Sequence, residues 1–180
     1  IKSGTLSYEM AAYVWLMVAG GMNIFVSGET ASGKTTLLNS ISTFINPDGK
    51  VVSIEDTPEL QIPHENWTRE VVRGMAAGES AVSMFDLLRS ALRQRPDEIM
   101  IGEIRGEEGS VVFQAMQTGH PCMATFHAST VEKLIQRLTG QPINIPKPYI
   151  DNLNLVILMS AVRLPDGRTA RRVTSISEII

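Results

Sequence analysis

One stretch of this sequence decides its fold: Gly28-Glu29-Thr30-Ala31-Ser32-Gly33-Lys34-Thr35. It lies between an apolar run at residues 24–26 and a helical pattern at residues 34–44. This spacing of glycines before Lys and Thr, between a strand and a helix, is typical of a phosphate-binding loop, or P-loop. In such a loop backbone N–H groups surround the phosphates, Lys34 supplies a positive charge and the Thr35 hydroxyl ligates Mg²⁺. The alternative is a glycine-rich turn that only caps a helix, and the flanking elements favour the P-loop.

Short apolar runs alternate with helical patterns along the chain. Strands are predicted at residues 24–26, 51–54, 99–101 and 123–126, and helices at residues 34–44, 84–94, 107–118 and 131–138. This alternation predicts an α/β fold, with a mostly parallel sheet and helices on both faces. Two further strand-like runs, 153–164 and 168–179, flank Pro165-Asp166-Gly167, which predicts a C-terminal antiparallel hairpin.

Two of the predicted helices begin with the residue spacing of a capping box. Ser83 precedes Asp86 by three residues, and Ser129 precedes Glu132 by three. In this motif the hydroxyl accepts from a backbone N–H of the first turn, and the carboxylate accepts from the cap's own N–H. We therefore expect Ser83 and Ser129 to be N-caps.

Residues 10–28 carry no charge and are long enough to cross a bilayer. Gly20-Gly21 and Asn23 divide them, however, into a helix at residues 11–19, with Ser7 as a possible cap, and a short strand. A buried helix that leads into a central strand therefore explains the segment better than a membrane span.

Composition sets the broad class of the protein. With 180 residues, of which 43% are hydrophobic, the chain can bury the core of one ordinary domain. Cys122 is its only cysteine, which excludes a disulfide within the chain and a zinc site built from several thiolates. Because the chain starts at Ile1 rather than Met, we expect residues 1–180 to be one domain of a longer protein with a further N-terminal domain.

Acidic residues follow two of the predicted strands. Glu55-Asp56 comes directly after residues 51–54, and Gly102-Glu103 directly after residues 99–101. Ligands bind at the carboxyl edge of an open parallel sheet, so these acids should converge with the P-loop. One carboxylate there can hold Mg²⁺ through water, and another can orient or deprotonate the attacking water. The alternative is that both acids are only solvated loop charges. It is disfavoured because each acid follows a predicted strand, as the P-loop does.

Histidines flank the last parallel strand. His127 follows residues 123–126, and His120 lies seven residues earlier in the chain. A histidine at the ligand edge can donate a hydrogen bond to a terminal phosphate. The alternative is a histidine with no ligand role, and His127 is the stronger functional candidate of the two.

Four motifs have now been described: the P-loop, Glu55-Asp56, Gly102-Glu103 and the strand end with His127. In this order and spacing they resemble the secretion ATPase superfamily of type II and type IV secretion, type IV pili, conjugation and the archaellum. Residues 52–60 look like its Asp box, residues 101–105 like its Walker B segment and residues 118–129 like its His box. The resemblance implies a RecA-like P-loop ATPase core. It also implies that Glu55 is the base that activates water and that His127 lies near the γ-phosphate.

The same resemblance implies the ligands ATP and Mg²⁺. Thr35 and Glu103 are the residues expected to hold Mg²⁺, Glu103 directly or through water. The nucleotide-binding residues are expected to be Gly28, Thr30, Ala31, Ser32, Gly33, Lys34, Thr35 and Thr36. The P-loop itself does not distinguish ATP from GTP, and the choice of ATP comes from the resemblance alone.

Within the superfamily, residues 62–73 and 138–144 look most like the archaeal branch. Thr57 separates Asp56 from Pro58, where bacterial members usually place proline directly after the aspartate. The tetracysteine zinc element of bacterial type II enzymes is also missing. Both departures fit the archaeal branch.

Members of this family work as homo-hexameric rings, in which arginines from a neighbour or from the N-terminal domain complete the active site. Candidates for such trans arginines are Arg69, Arg73, Arg93 and Arg105, each of which is alternatively a surface or interface ion-pair partner. The resemblance further implies a membrane-embedded platform protein as partner, and a cytoplasmic location at the membrane periphery.

Two other functions compete with a motor ATPase. One is an assembly module that binds nucleotide but barely hydrolyses it, which the intact Glu55 and Glu103 disfavour. The other is a nucleic-acid translocase of related fold. A net charge of −3 and the lack of a basic stripe argue against that function, so no nucleic-acid partner is expected.

Overall fold

The computed structural model describes residues 2–74 and 81–180. Its strands are β1 (Ile24–Gly28), β2 (Val51–Glu55), β3 (Trp67–Val71), β4 (Glu98–Ile104), β5 (Cys122–Phe126), β6 (Leu155–Arg163) and β7 (Thr169–Glu178). Its α-helices are α1 (Tyr8–Ala19), α2 (Lys34–Ser42), α3 (Met84–Ala91), α4 (Glu108–Gln117) and α5 (Val131–Thr139). Short 3₁₀ helices follow α3 (Leu92–Gln94) and precede β6 (Lys147–Asn152).

These strands form one sheet with the order β3-β2-β4-β5-β1-β6-β7. Strands β1 to β6 are parallel to one another. Strand β7 pairs antiparallel with β6 through the turn at Pro165-Asp166-Gly167. The mostly parallel sheet and the C-terminal hairpin are therefore confirmed.

The central strands are apolar because both of their faces are covered. Every residue of β1, β2 and β5 is buried, as expected for parallel strands between two helical layers. Helices α1 and α2 pack on one face through side chains such as Val14 and Leu38. Helices α3, α4 and α5 cover the other face through Leu88, Val112 and Leu134. Helices on both faces are thus confirmed.

Strand β3 was not predicted from the sequence. It lies at the sheet edge, where only one neighbour pairs with it, and Arg69 and Glu70 occupy its middle. Trp67 fastens it to the sheet, because its indole Nε1 donates to Ser53 Oγ at 2.8 Å. A half-exposed edge strand needs no continuous apolar run, which is why hydrophobicity did not reveal it.

The predicted helix caps differ in outcome. Ser7 caps α1, and Ser83 forms a capping box with Asp86 at the start of α3. The expected cap Ser129 is wrong, because α5 begins at Val131, as predicted, and the residue directly before it is Thr130. Thr130 has the extended backbone of an N-cap and accepts from Lys133 N at 3.2 Å.

The uncharged segment at residues 10–28, long enough to raise the question of a membrane span, is divided between helix α1, a turn and strand β1. The helix ends at Ala19, and the chain turns at Gly20-Gly21 before β1 begins. In residues 2–74 and 81–180, no helix combines the length and the apolar character that crossing a membrane requires.

Candidate active site

Four neighbouring strands bring the predicted site together. In the sheet order β2-β4-β5-β1, each strand carries one motif at or just after its carboxyl end. These ends surround a cavity of about 570 Å³. The cavity is lined by Thr30, Ala31, Lys34, Thr35, Glu55, Asp56, Thr57, Glu59, Gly102, Glu103, Arg105, Thr125, His127 and Arg137. Four other loop residues from the prediction lie outside this lining: Gly28, Ser32, Gly33 and Thr36.

The P-loop between β1 and α2 is shaped by residues that tolerate close approach or left-handed backbone. A Cβ at Gly28 would lie 2.3 Å from the carbonyl oxygen of Met159 on β6, so only glycine fits there. Ala31 and Gly33 have φ angles of +61° and +96°, which turn the chain into the helix. Gly33 is the N-cap of α2 and offers no side-chain acceptor, so the first N–H groups of α2 suit an anion.

Lys34 lies at the mouth of this loop. Its Nζ donates to the carbonyl oxygen of Glu29 at 3.0 Å, which holds the ammonium group over the loop. Partial burial lowers the pKa of Lys34, and the negative charge of Glu103 partly offsets that effect. A phosphate at this position would add further negative charge beside this half-buried ammonium group.

Glu55 is the last residue of β2, and only 1% of its side chain is exposed. Its Oε1 accepts from the backbone N–H groups of Glu59 and Leu60, each at 2.7 Å. Its Oε2 is buried without a hydrogen-bond donor, and Arg69 Nε lies 3.5 Å away as a charge partner. One carboxylate oxygen is therefore fixed by the backbone, and the other has unused capacity to accept a hydrogen bond.

A bulge in β4 positions Glu103. The register between β4 and β5 shifts between Ile101 and Ile104. The bulge therefore lies at Gly102-Glu103. Glu103 Oε2 accepts from Arg105 Nε at 2.8 Å, and this hydrogen bond raises the pKa of Arg105. Arg105 also lies 3.7 Å from Asp56. Its guanidinium group therefore bridges the carboxylates at the ends of β4 and β2.

His127 directly follows β5 and contacts the P-loop. Its Nε2 lies 2.9 Å from Thr30 Oγ1, within hydrogen-bond distance. His120 precedes β5 and therefore lies at the opposite edge of the sheet, where its Nδ1 is 3.1 Å from Thr118 Oγ1. The structure thus brings His127 to the candidate site and keeps His120 away from it.

The four arginine candidates occupy different places. Arg69 and Arg105 contact carboxylates of their own chain. Arg73 forms an isolated bridge with Val82 beyond the end of β3. Arg93 lies on the 3₁₀ helix after α3, in a surface depression that it shares with other residues of that helical segment.

Two further arginines near the P-loop were missed by the sequence analysis. Arg137 on α5 lines the cavity, donates to the carbonyl oxygen of His127 and lies 5.0 Å from the ring centroid of Phe126. Arg171 on β7 donates from Nε to the carbonyl oxygen of Ala31 at 3.0 Å. Neither residue belongs to a local motif, so no signal in the sequence singled them out.

The donors at this site fit Mg²⁺ better than a metal held by protein alone. Across the described parts of the chain, no three His, Cys, Asp or Glu side chains cluster to hold a metal. Thr35 and Glu103, which both line the cavity, offer one hydroxyl and one carboxylate. Mg²⁺ keeps several waters and takes its other oxygens from substrate phosphates, so two protein ligands are sufficient.

Comparison with known proteins identifies the family of this chain. Residues 2–164 match the family model for the type II/IV secretion system protein. An uncharacterized protein of Methanocaldococcus jannaschii is 55% identical over 179 residues, which cover 99% of this chain and 32% of that protein. The protein VirB11 of Agrobacterium fabrum is 37% identical over 122 residues, which cover 67% of this chain and 36% of VirB11. The chain thus spans about a third of the length of these two relatives.

A solved structure shares the fold. The VirB11 ATPase of the Brucella suis type IV secretion system, crystallised in complex with sulphate, superposes with a TM-score of 0.78 at 26% identity. The match covers 94% of this chain and 52% of that one. Fold and site together define a RecA-like P-loop ATPase core. The chain belongs to the type II/IV secretion ATPase superfamily.

Proposed function

We propose that this chain is the MgATP-hydrolysing core of a secretion-type motor. The observation that carries the proposal is the single cavity in which a P-loop meets Glu55, Glu103 and His127. Each of these groups comes from a different strand, and the four strands are neighbours in the sheet. Such convergence suits phosphoryl transfer to water, which depends on positioning and on charge stabilisation.

The phosphates of ATP would occupy the P-loop. The uncapped N-terminus of α2 and the ammonium group of Lys34 both favour negative charge there. Thr30 and His127, paired across the loop, would donate hydrogen bonds to the terminal phosphate. The complex of the Brucella suis VirB11 ATPase with sulphate supports anion binding by this fold.

Mg²⁺ would be held by the Thr35 hydroxyl and by Glu103. The ion supplies positive charge that neutralises the phosphate oxygens. Arg105 is the present partner of Glu103 and is 65% exposed, so it can swing away at little cost. We infer that Arg105 gives up its contact with Glu103 when the nucleotide binds, and either keeps its contact with Asp56 or turns to phosphate.

Glu55 would act as the general base. Its Oε1 is held by two backbone N–H groups, which keeps the carboxylate in one orientation. Its Oε2 would accept the proton of the attacking water, because no protein donor occupies that oxygen. Arg69 Nε, 3.5 Å from this same oxygen, would balance the charge of the carboxylate.

The motor itself extends beyond this chain. We infer a homo-hexamer that works with a membrane-embedded platform protein of a secretion, pilus or archaellum machine, at the cytoplasmic face of the membrane. Names of relatives such as VirB11 and the probable conjugal transfer protein TrbB support a role in a secretion or transfer machine. The archaeal branch is proposed from residues 62–73 and 138–144.

Nucleotide binding is tested with Lys34→Ala in a thermal-shift assay with MgATP. The parent should gain stability by mass action as the ligand exceeds its dissociation constant, and the variant should not. Lys133→Ala is the matched control, because Lys133 is an exposed lysine of α5. An equal gain in the Lys34 variant would sink the P-loop assignment.

Assembly is tested by specific activity across a wide dilution series, measured together with sedimentation. If neighbours complete the active site, the rate per protomer should climb as protein concentration rises and chains meet. A monomer with constant and brisk specific activity would show that each site is complete within one chain.

A further inference from the structure

An open groove lies at the edge of the sheet that is opposite β3, and no step of the proposed hydrolysis uses it. It runs between α1 and β7, and its volume is about 520 Å³. Its walls are formed by Glu9, Met10 and Tyr13 of α1 and by Ile176 and Glu178 of β7. We propose that this groove binds an extended segment of a partner protein, which adds a strand to the free edge of β7 and carries basic and apolar side chains.

The backbone of β7 is open to pairing along this groove. Strand β7 is the last strand of the sheet, and β6 is its neighbour. In an antiparallel pair, successive residues direct their N–H and C=O groups alternately toward and away from the neighbouring strand. Ile179 N donates to the carbonyl oxygen of Asn154, and the register from there to Ser175 has no shift. The backbone groups of Ile176 and Glu178 therefore point away from β6, at the two strand positions that line the groove.

The chain already uses this edge to pair with an extended segment. Just before α1, the carbonyl oxygen of Thr5 accepts from Val173 N at 2.8 Å. Beyond this contact, residues 174–178 read Thr-Ser-Ile-Ser-Glu and contain neither proline nor lysine. Proline and lysine are residues with which proteins protect an exposed edge from pairing. The part of β7 beside the groove lacks that protection and can accept a further strand.

The side chains of the groove select a basic and apolar segment. Its charged groups are the carboxylates of Glu9 and Glu178, and no Lys or Arg of the described residues lines it. Met10, Tyr13 and Ile176 are half-buried and offer apolar surface beside these acids. Side chains directly opposite each other on paired strands are in contact. The partner residue opposite Ile176 should therefore be apolar, and the residue opposite Glu178, two positions away, should be Lys or Arg.

Tyr13 orients the carboxylate that would meet this basic residue. Its hydroxyl group donates to Glu178 Oε1, from α1 to β7. Each oxygen of an ionised carboxylate can accept more than one hydrogen bond, so this contact does not exhaust the acceptor capacity of Glu178. The Tyr13 hydrogen bond therefore holds the carboxylate in place and leaves it able to bind a cation.

The test uses the blocked peptide Thr-Lys-Thr-Val-Thr-Lys-Thr and the whole chain. The peptide reads the same in both directions, so it places a valine and a lysine two residues apart whichever way it pairs with β7. We expect binding with a Kd below about 1 mM, and shifts of the amide NMR signals of Ile176 and Glu178. A peptide N-methylated on its central residues, and a peptide with Glu in place of both lysines, should each bind at least about tenfold more weakly.

Replacement of both acids tests the charges of the groove. Glu9→Gln combined with Glu178→Gln should bind the lysine peptide about three- to tenfold more weakly, because two exposed ion pairs are lost. This difference should shrink at high salt, which screens exposed charges. Glu132→Gln is the matched control and should bind as the parent does, because Glu132 is likewise exposed in the first turn of its helix but lies on α5. Tyr13→Phe keeps both carboxylates and should bind at least as tightly as the parent.

The proposal is overturned if the parent does not bind the lysine peptide, or if the N-methylated peptide or the glutamate peptide binds equally well. Parent-like binding by the double variant would show that the acids do not select the partner. If Tyr13→Phe weakened binding as much as the double variant does, the acids would act only through the packing of α1 on β7. A dimer of the chain that protects the amides of Ile176 and Glu178 from hydrogen exchange would also contradict the proposal, because a second copy would then occupy the edge. None of these results depends on ATP hydrolysis.

Discussion

Arg69 Nε lies 3.5 Å from Glu55 Oε2, so a buried carboxylate at the candidate site has its cationic partner in the same chain. The register of β2 with β3 makes this contact possible, because Arg69 pairs with Ser53, two residues before Glu55. The guanidinium group is further held 4.5 Å from the ring centroid of Trp67. Arg69 therefore has a structural role within the chain, whatever a neighbouring subunit contributes.

Arg69→Gln should destabilise the fold. A buried carboxylate that loses its charge partner is costly, but Arg69 is 37% exposed, so we expect about 1–2 kcal/mol rather than the full value of a buried pair. Urea unfolding measures this change. Arg93→Gln, at an exposed position of the 3₁₀ helix after α3, should stay within about 0.5 kcal/mol of the parent. Equal stability of the two variants would show that the Arg69 contact contributes nothing.

Glu103→Gln should raise the Mg²⁺ concentration needed for hydrolysis. The neutral amide oxygen is a weaker ligand than the carboxylate, so Thr35 would be the only unchanged protein ligand of the two. We expect half-maximal activity to need at least about tenfold more Mg²⁺. Titration of activity with Mg²⁺ at fixed ATP is the measurement, with the exposed Glu107→Gln as control. An unchanged Mg²⁺ requirement would remove Glu103 from the metal site.

Glu98 should make stability depend on pH. Burial raises the pKa of Glu98 well above 4.5, and its Oε1 has no hydrogen-bond partner. The folded state then keeps a proton that the unfolded state releases above pH 4.5, so stability falls as pH rises until the folded pKa is reached. Relative to Glu98→Gln, the parent should lose up to about 1.4 kcal/mol per pH unit in this window.

Urea unfolding of both proteins from about pH 5 to 8 tests this dependence. Glu132→Gln is the control and should show no such slope over this range, because hydrogen bonding to Thr130 lowers the pKa of Glu132 and its pH dependence therefore lies below 4.5. Its stabilising contribution is present above the unfolded pKa and is lost as pH falls through the folded pKa. A difference between parent and Glu98→Gln that stays flat with pH would mean that Glu98 is not held neutral.

The central sheet and the site edge were predictable because their signals are local. A P-loop needs its glycines, lysine and threonine within eight residues, and buried parallel strands need apolar runs. Glu55, Glu103 and His127 each follow such a run directly. Once the strands are taken as parallel, these residues must meet at one edge.

The contacts that surround this core were not predictable, because they depend on register and on distant segments. Strand β3 is visible only as the edge partner of β2. Arg171 reaches Ala31 across 140 residues, through the antiparallel register of the C-terminal hairpin. The start of α5 at Val131 was predicted correctly, but its cap was misassigned by one residue, because Ser129 and Thr130 are both good caps and only the backbone geometry distinguishes them.

Replacement of Glu55 by alanine and by glutamine should have different effects on stability. Alanine removes the oxygen that accepts from Glu59 N and Leu60 N, so one part-buried and one buried donor lose their partner. We expect Glu55→Ala to cost about 1–3 kcal/mol in urea unfolding, whereas Glu55→Gln keeps an acceptor oxygen and should cost less. Equal losses would indicate that these hydrogen bonds do not hold the turn.

Glu55→Gln therefore tests the chemistry without releasing the loop. In a competent assembly, MgATP affinity and the single-turnover rate of phosphate release should be measured on the parent and on this variant. We expect affinity within a few-fold of the parent and hydrolysis slower by about 10²-fold or more, because the general base is lost. Hydrolysis by Glu55→Gln at the rate of the parent would contradict the assignment of Glu55 as the residue that activates water.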